Sequence, residues 1–411
     1  MTQPTPVSPS ERVVELDYVR GLALLGIYIM NMPAFNLPWG GPDDATGLSL
    51  GVLDEIVKMA REVFFSGKFN AMFSLLFAVG FTIQLQRLEA ALGDAGRRIY
   101  VRRLLVLLGI GLLHGLVFWY GDVLHCYALL GFLLLLLRRV RDRWIVTLAV
   151  ACVFLPTLSH YLADLAYGPM SPQQMQALEA ADVAREQAAF AHGTVSMGVQ
   201  RNAENFGDIY SGYFAAHRVV YMYAELLMTM LVGLLAGRHR WFQRASDHPL
   251  VVARVQRVAL AVGILTAAGL YYAASHHGFG SNTWLAYLYG YSYRICRAAL
   301  MVFYVTSLLR LIHRPAWAAG LRPLALAGRM ALSNYLLQTA IALFIFRPWG
   351  LGLFGRCGLA ASFALAVGIY VIVQLPFSVW WLRRFQFGPL EYLWRAATYG
   401  RFPPMRGGVA A

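Results

Sequence analysis

Runs of about twenty apolar residues recur along this chain, each closed by arginines or by a short polar turn. A helix needs about 20 such residues to cross the hydrocarbon core of a bilayer. About ten segments meet or approach that length: Val19 to Leu37, Val63 to Leu85, Leu104 to Tyr120, Val123 to Leu137, Trp144 to Ala163, Val219 to Ala236, Val258 to Ala274, Trp284 to Leu309, Leu324 to Phe346 and Leu359 to Leu382. Only Gly121 and Asp122 part the third from the fourth, which predicts a tight helical hairpin. Of 411 residues 58% are hydrophobic and 14% charged, against about 25% charged in soluble domains. The expected fold is all-α, a polytopic transmembrane bundle of about ten spans.

The charges orient it. Lys+Arg is 35 against 21 for Asp+Glu, a formal balance of +14, with Lys58 and Lys68 the only lysines. Arginine groups follow every even-numbered segment: Arg87, Arg97, Arg98, Arg102 and Arg103 follow the second, and Arg238, Arg240 and Arg244 the sixth. The connection from Asn36 to Glu62 instead holds five acids against two bases, and that from Asp164 to Arg218 six against three. Positive charge stays in the cytoplasm, so both termini are expected there, in a bacterial inner membrane. Arginines dispersed over short membrane-edge loops do not make a nucleic-acid surface. The polar start through Ser10 runs into Glu11, Arg12, Glu15 and Asp17 without a basic n-region, so the first apolar segment is expected to stay as a helix.

Three parts are expected: membrane helices over 1–163, an outer loop over 164–218 and a C-terminal membrane unit over 219–411. In the loop, Ser171 as cap and Pro172 at the first position predict a surface helix over Gln173 to Phe190, either a lid or packing. Cys126, Cys152 and Cys296 fall within apolar runs and Cys357 in a loop, giving neither a disulfide framework nor a zinc spacing; no metal site is expected.

Polar groups at bilayer depth cost about 2.5–3.5 kcal/mol each and mark cavities or pathways. His114 is about 15 Å into the third segment at 1.5 Å per residue, the one histidine placed to act as a base near the midplane. Arg294 and Glu225 are comparably buried in the eighth and sixth; they suit a substrate clamp or a buried ion pair that fixes helix order. Arg20, Asn31, Lys68, Asn334 and Gln338 complete the candidate binding set, the amides serving equally as interhelical hydrogen bonds. One economical arrangement gathers His114, Arg20, Asn31, Lys68, Asn334 and Gln338 around a single cavity. Asp122 and His125 stand at the outer edge, where water can satisfy them.

The runs ELDYVRGLALLGIYIMN, SGKFNAMFSLLFAVGF, RRLLVLLGIGLLHG, GDVLHCYALLGFLLLL and GRMALSNYLLQT resemble the bacterial YeiB-like membrane proteins. The tail QLPFSVWWLRRFQFGPLEYLWRAATYG is similar to the end of their C-terminal domain of unknown function 418. The resemblance covers nearly the whole chain apart from 164–218. A fainter similarity joins Asp17, Arg20, Gly21 and Asn31 to the first span of membrane acyltransferases of the heparan glucosaminide acetyltransferase type. It implies acyl transfer, with acyl-CoA as a possible donor and no other cofactor. The chain departs from that pattern because 36–62 holds no histidine, so His114 or another base is required.

Acyl transfer needs a buried base and cations at the inner mouth, where Arg97, Arg98, Arg102 and Arg103 would meet donor phosphates or anionic lipid. The acceptor would be a small molecule or a glycan. A transporter of a small anionic or zwitterionic solute would use Arg294 and Glu225 instead. A noncatalytic scaffold or sensor needs neither.

Overall fold

A computed structural model describes residues 13–38, 51–167, 172–211, 215–276 and 284–406. Among these no strand occurs. The first half comprises α1 (Val14–Asn36), α2 (Val52–Ala60), α3 (Lys68–Leu92), α4 (Asp94–Leu113), α5 (Leu124–Leu137), α6 (Asp142–Tyr167), α7 (Pro172–Phe190) and α8 (Val195–Tyr210). Then follow α9 (Ala215–Arg238), α10 (Pro249–His276), α11 (Trp284–Ile312), α12 (Pro315–Gly320), α13 (Arg322–Arg329), α14 (Ala331–Phe346), α15 (Leu359–Ile369), α16 (Leu375–Leu382) and α17 (Pro389–Tyr399). Single π turns at Arg61–Phe65, His114–Phe118 and Tyr370–Gln374 end or join helices.

Among the described residues eight helices are long and apolar enough to cross a membrane, nine if the bent pair α13–α14 is one span. The fourth sequence segment is the shorter apolar helix Leu124–Leu137, which packs back on α4 as the expected hairpin. Two segments differ from their sequence boundaries. The second candidate span runs over Val52–Leu92, longer than its apolar segment; within it Val63 to Phe65 close a π turn on α2, and the chain turns at Gly67, whose φ of +71° favours glycine. Val52, Leu53, Ile56, Met59 and Phe64 of that preceding helix are exposed, an apolar face suited to the membrane interface. The ninth segment is not straight either: it bends by 87° at Met330.

Glycine explains the bend. A Cβ on Gly328 would stand 1.9 Å from the Asp17 carbonyl oxygen, and one on Gly21 would stand 2.0 Å from the Leu324 carbonyl. Only bare backbones let α13 lie so close across α1. The start of α14 is then closed by Glu391 from α17, whose Oε1 accepts from the backbone N–H groups of Leu332 and Ser333 at 2.7 and 3.1 Å. Ser171, the expected cap of α7, lies outside the described residues. The helix from Pro172 to Phe190 is present, and α8 follows it as a second roof helix.

Candidate functional site

Helix α1 is the axis of the site. Along it Asp17 and Arg20 line a cavity of about 290 Å³ at the end of α1 nearest Val13 and α17, the terminal end. Asn31, further along, lines a cavity of about 740 Å³ at the far end. Ile27 and Val123 belong to both linings and form the divide.

The terminal-end cavity joins an apolar wall of Phe73, Leu76, Phe77 and Phe81 to a charged rim of Arg20, Arg103, Arg329, Arg395, Asp17 and Glu391. Arg20 donates to Asp17 at 3.1 Å. Arg103 lies 3.6 Å from the ring centroid of Trp394, and the Trp394 indole N–H donates to the Arg103 carbonyl at 3.1 Å, so α17 floors this cavity.

The far-end cavity lies between α1, α3, α9 and α11 under the roof of α7 and α8. Asn202 clasps the roof to the π turn at His114: its Oδ1 accepts from the Tyr120 N–H at 2.8 Å, and its Nδ2 donates to the Gly115 carbonyl at 2.7 Å. π turns of this kind recur at functional sites.

At the divide stands a carboxylate between two imidazoles. His114 Nδ1 lies 2.9 Å from Asp122 Oδ1, and His125 Nδ1 lies 3.0 Å from Asp122 Oδ2, which also accepts from the His125 backbone N–H at 3.1 Å. An ionised carboxylate only accepts, so each Nδ1 carries a proton, and in the neutral ring the Nε2 keeps the lone pair. Burial alone would raise the Asp122 carboxyl, but the hydrogen bonds from His114 and His125 outweigh it and hold it below the usual range. The two Nε2 atoms then differ. That of His114 takes the Thr339 hydroxyl at 3.0 Å inside the bundle, whereas His125 lines the far-end cavity and its Nε2 takes the phenol of Tyr210 from the end of α8.

The single cavity expected around His114 is not what the helices build. Arg20 and Asn31 line opposite cavities, and His114 lines neither. Asn334 donates to the Ala327 carbonyl at 3.1 Å and to Ser378 at 3.0 Å. Gln338 donates to Gln374 at 3.0 Å, and Gln374 to the Asn334 carbonyl at 2.8 Å; these amides bind α1, α14 and the last span together. Lys68 donates to the Glu62 carbonyl at 2.7 Å and so fastens the π turn after α2. Glu225 pairs with Arg297 rather than Arg294. Arg294 donates to Thr157 at 2.8 Å and lies 5.7 and 5.8 Å from the rings of Tyr221 and Tyr291. Of the four arginines around the second loop, Arg103 lines the terminal-end cavity. Arg97, paired with Asp94 at 3.3 Å, is exposed, as are Arg98 and Arg102. Among the described residues no group of three or more His, Cys, Asp or Glu is placed to hold a metal.

No sequence pattern singles out Thr339, Tyr210 or Glu391. Asp122 and His125, three apart in GDVLHC, carry the available signal, since a carboxylate just ahead of a helix can accept from a residue of its first turn.

The fold and the site together define a multi-pass helical membrane protein with opposed cavities. Residues 236–401 match the family described as Protein of unknown function (DUF418). The chain is 29% identical to the uncharacterized protein YxaH of Bacillus subtilis (strain 168), over 98% of each chain. It is 30% identical to the uncharacterized protein YeiB of Escherichia coli (strain K12), over 94% of this chain and 96% of that one. A further relative is an uncharacterized 39.9 kDa protein in the amylase 3' region of Bacillus acidopullulyticus, 29% identical over 97% of each. The chain belongs to the YeiB-like, DUF418-bearing family.

Proposed function

We propose that this protein transfers an acyl group from a thioester donor in the terminal-end cavity to an acceptor hydroxyl in the far-end cavity, with His125 as the base. The observation that carries the reading is the Asp122–His125 pair, next to the residues that wall both cavities. The acceptor oxygen attacks the thioester carbonyl and gives its proton to His125 Nε2. The carbon–sulfur bond then breaks, and the departing thiolate takes that proton, leaving ester and thiol. Asp122 holds the imidazole in the required tautomer. Arg103, Arg20 and Arg395 suit the phosphates of an acyl-CoA donor, and the exposed Arg97, Arg98 and Arg102 suit anionic lipid. His114 then serves as a positioning group that anchors Asp122. The acceptor is a small molecule or a glycan.

The direction of transfer follows from the charge pattern: the terminal end faces the cytoplasm and the roof helices face outward, in a bacterial inner membrane. Single cysteines at Arg98 and Gln187, probed in intact cells with an impermeant thiol reagent, test it; labelling at Arg98 from outside would reverse the orientation.

Purified protein in liposomes, given radiolabelled acetyl-CoA and a lipid or glycan extract from the host membrane, tests the reaction. Label should pass to an extractable ester with wild type and not with His125→Gln. A second reading, solute transport, draws on the same opposed cavities divided by Ile27 and Val123. It would show as saturable counterflow unaffected by acyl-CoA.

A further inference from the structure

The nitrogen assigned as the base is occupied. With the ring neutral, the Tyr210 phenol donates to His125 Nε2, which the Cys126 thiol also approaches at 3.2 Å, and the Tyr210 ring packs 6.0 Å from the imidazole and 5.6 Å from Phe206, centroid to centroid. Tyr210 is the last residue of α8, and Ser211 after it is extended. The helix is unevenly held. Arg201, Asn202, Asn205 and Phe206 are buried, whereas Gly207, Asp208 and Tyr210 are exposed. The buried part is fixed by the Asn202 clasp, by Arg201 to Asp182 at 3.1 Å, and by Asn205 to Glu186 at 2.5 Å. Past Phe206 the polar contacts lie at the rim: Tyr210 to His125, Tyr210 to Tyr223 at 3.4 Å, Ser211 back to the Gly207 carbonyl at 3.0 Å, and Arg218 to the Ser211 carbonyl at 3.5 Å.

We infer that Tyr210 is a latch seated where the acceptor hydroxyl must sit, and that a hydroxyl-bearing ligand opens the site by displacing it. The inference rests on His125 being the base. A phenol held on Nε2 presents the same group that the reaction requires there, a neutral oxygen that arrives with its proton. Asp208 and Ile209 line the far-end cavity, so the ligand's entry and the release of Tyr210 involve the same last turn of α8. Movement is confined to that turn, because unseating Asn202 would leave buried backbone groups at Gly115 and Tyr120 without partners. The closed latch also keeps water from a base that would otherwise hydrolyse the thioester.

The test is site-resolved modification of histidine by diethyl pyrocarbonate in the purified full chain, read by mass spectrometry at His125. Tyr210→Ala, at an exposed helix end, should raise the rate at His125 about tenfold, which the loss of one hydrogen bond of ordinary net strength permits. Tyr210→Phe, which keeps the ring, should raise it less. Glycerol as a small hydroxyl probe should protect His125 in the alanine variant, while tetramethylammonium, which has no hydroxyl and does not react with the reagent, should not. An unchanged rate in Tyr210→Ala overturns the latch, and any protection pattern other than glycerol alone overturns the hydroxyl class. The expected labelling of wild type and Tyr210→Ala without measurable acyl transfer by the wild type would instead remove the acyl-transfer reading and leave Tyr210 as a latch on a hydroxyl-binding site.

Discussion

His114 and His125 share one carboxylate: their Nδ1 atoms lie 2.9 and 3.0 Å from the two oxygens of Asp122. Because a carboxylate can accept from both, the pair is satisfied without either ring turning over. An asparagine in its place has one accepting and one donating arm, so one Nδ1–H loses its acceptor.

Asp122→Asn should therefore reduce acyl transfer by about 10²–10⁴-fold, the scale of a lost general base. It should also move the acid limb of the pH–rate profile to lower pH, because the negative charge that favours the imidazolium is gone. His114→Gln should leave the base in place and move the same limb by less. A profile unmoved in both variants would show that Asp122 does not act through His125.

The buried ion pair yields a stability prediction. Arg297 and Glu225 are 4% and 7% exposed and bonded to each other, so Glu225→Ala strands a guanidinium in the bundle at a cost of about 3–5 kcal/mol. Arg294→Ala removes a hydrogen bond to Thr157 and contacts with two tyrosine rings, a loss of about 1.5–3 kcal/mol. Thermal aggregation of a fluorescent fusion in detergent ranks the two. A larger loss from Arg294→Ala would mean that the pairing described is not the one that holds α9 to α11.

The spans are legible in the sequence because lipid permits few substitutes for an apolar helix, and the polar residues that interrupt those spans stand out for the same reason. What stays hidden are choices between neighbours in space. Arg294 and Arg297 both lie within α11, and nothing local says which faces Glu225 on α9. His114 reads as the base because it is deep, yet depth gives its Nε2 to Thr339 on α14, while the shallower His125 reaches a cavity. That cavity is roofed by α7 and α8, which join the site through Asn202 and Tyr210 at long sequence separation, beyond any spacing rule. The bend at Met330 is masked by a hydropathy that continues through Leu324 to Phe346; its cause, Gly328 against the Asp17 carbonyl, is a tertiary contact.

Glu391 gives a pH dependence. Burial pushes its carboxyl above the ordinary range although Ser333 and Leu332 bond it. A carboxyl raised on folding adds stability at pH values below its unfolded pKa and loses that contribution as pH rises through the folded one. Glu391→Gln does not titrate, so its melting temperature relative to wild type should climb as the pH increases from about 4.5, the unfolded carboxylate range, towards neutrality. Glu391→Ala leaves the N–H groups that open α14 without their acceptor and should lose about 1–3 kcal/mol at every pH. A constant difference between wild type and Gln across that range would contradict the buried carboxyl.

The last prediction separates glycines that the fold needs from one that it does not. At Gly328 a methyl would lie 1.9 Å from a backbone oxygen of α1, which cannot yield without moving α13. Overpacking of this kind costs about 1–3 kcal/mol or more, and here it would push apart α13 and the turn of α1 that carries Asp17 and Arg20. Gly328→Ala should thus weaken both thermal stability and binding of acetyl-CoA, measured by displacement of a fluorescent analogue. A methyl on Gly109, in the third span, would meet no atom within 4 Å, and alanine there should gain about 0.5–1 kcal/mol from helix preference alone. If Gly328→Ala matched Gly109→Ala in stability, the close crossing of α1 and α13 would not exist in the membrane. If it lost stability but bound acetyl-CoA as wild type does, Asp17 and Arg20 would not belong to the donor site.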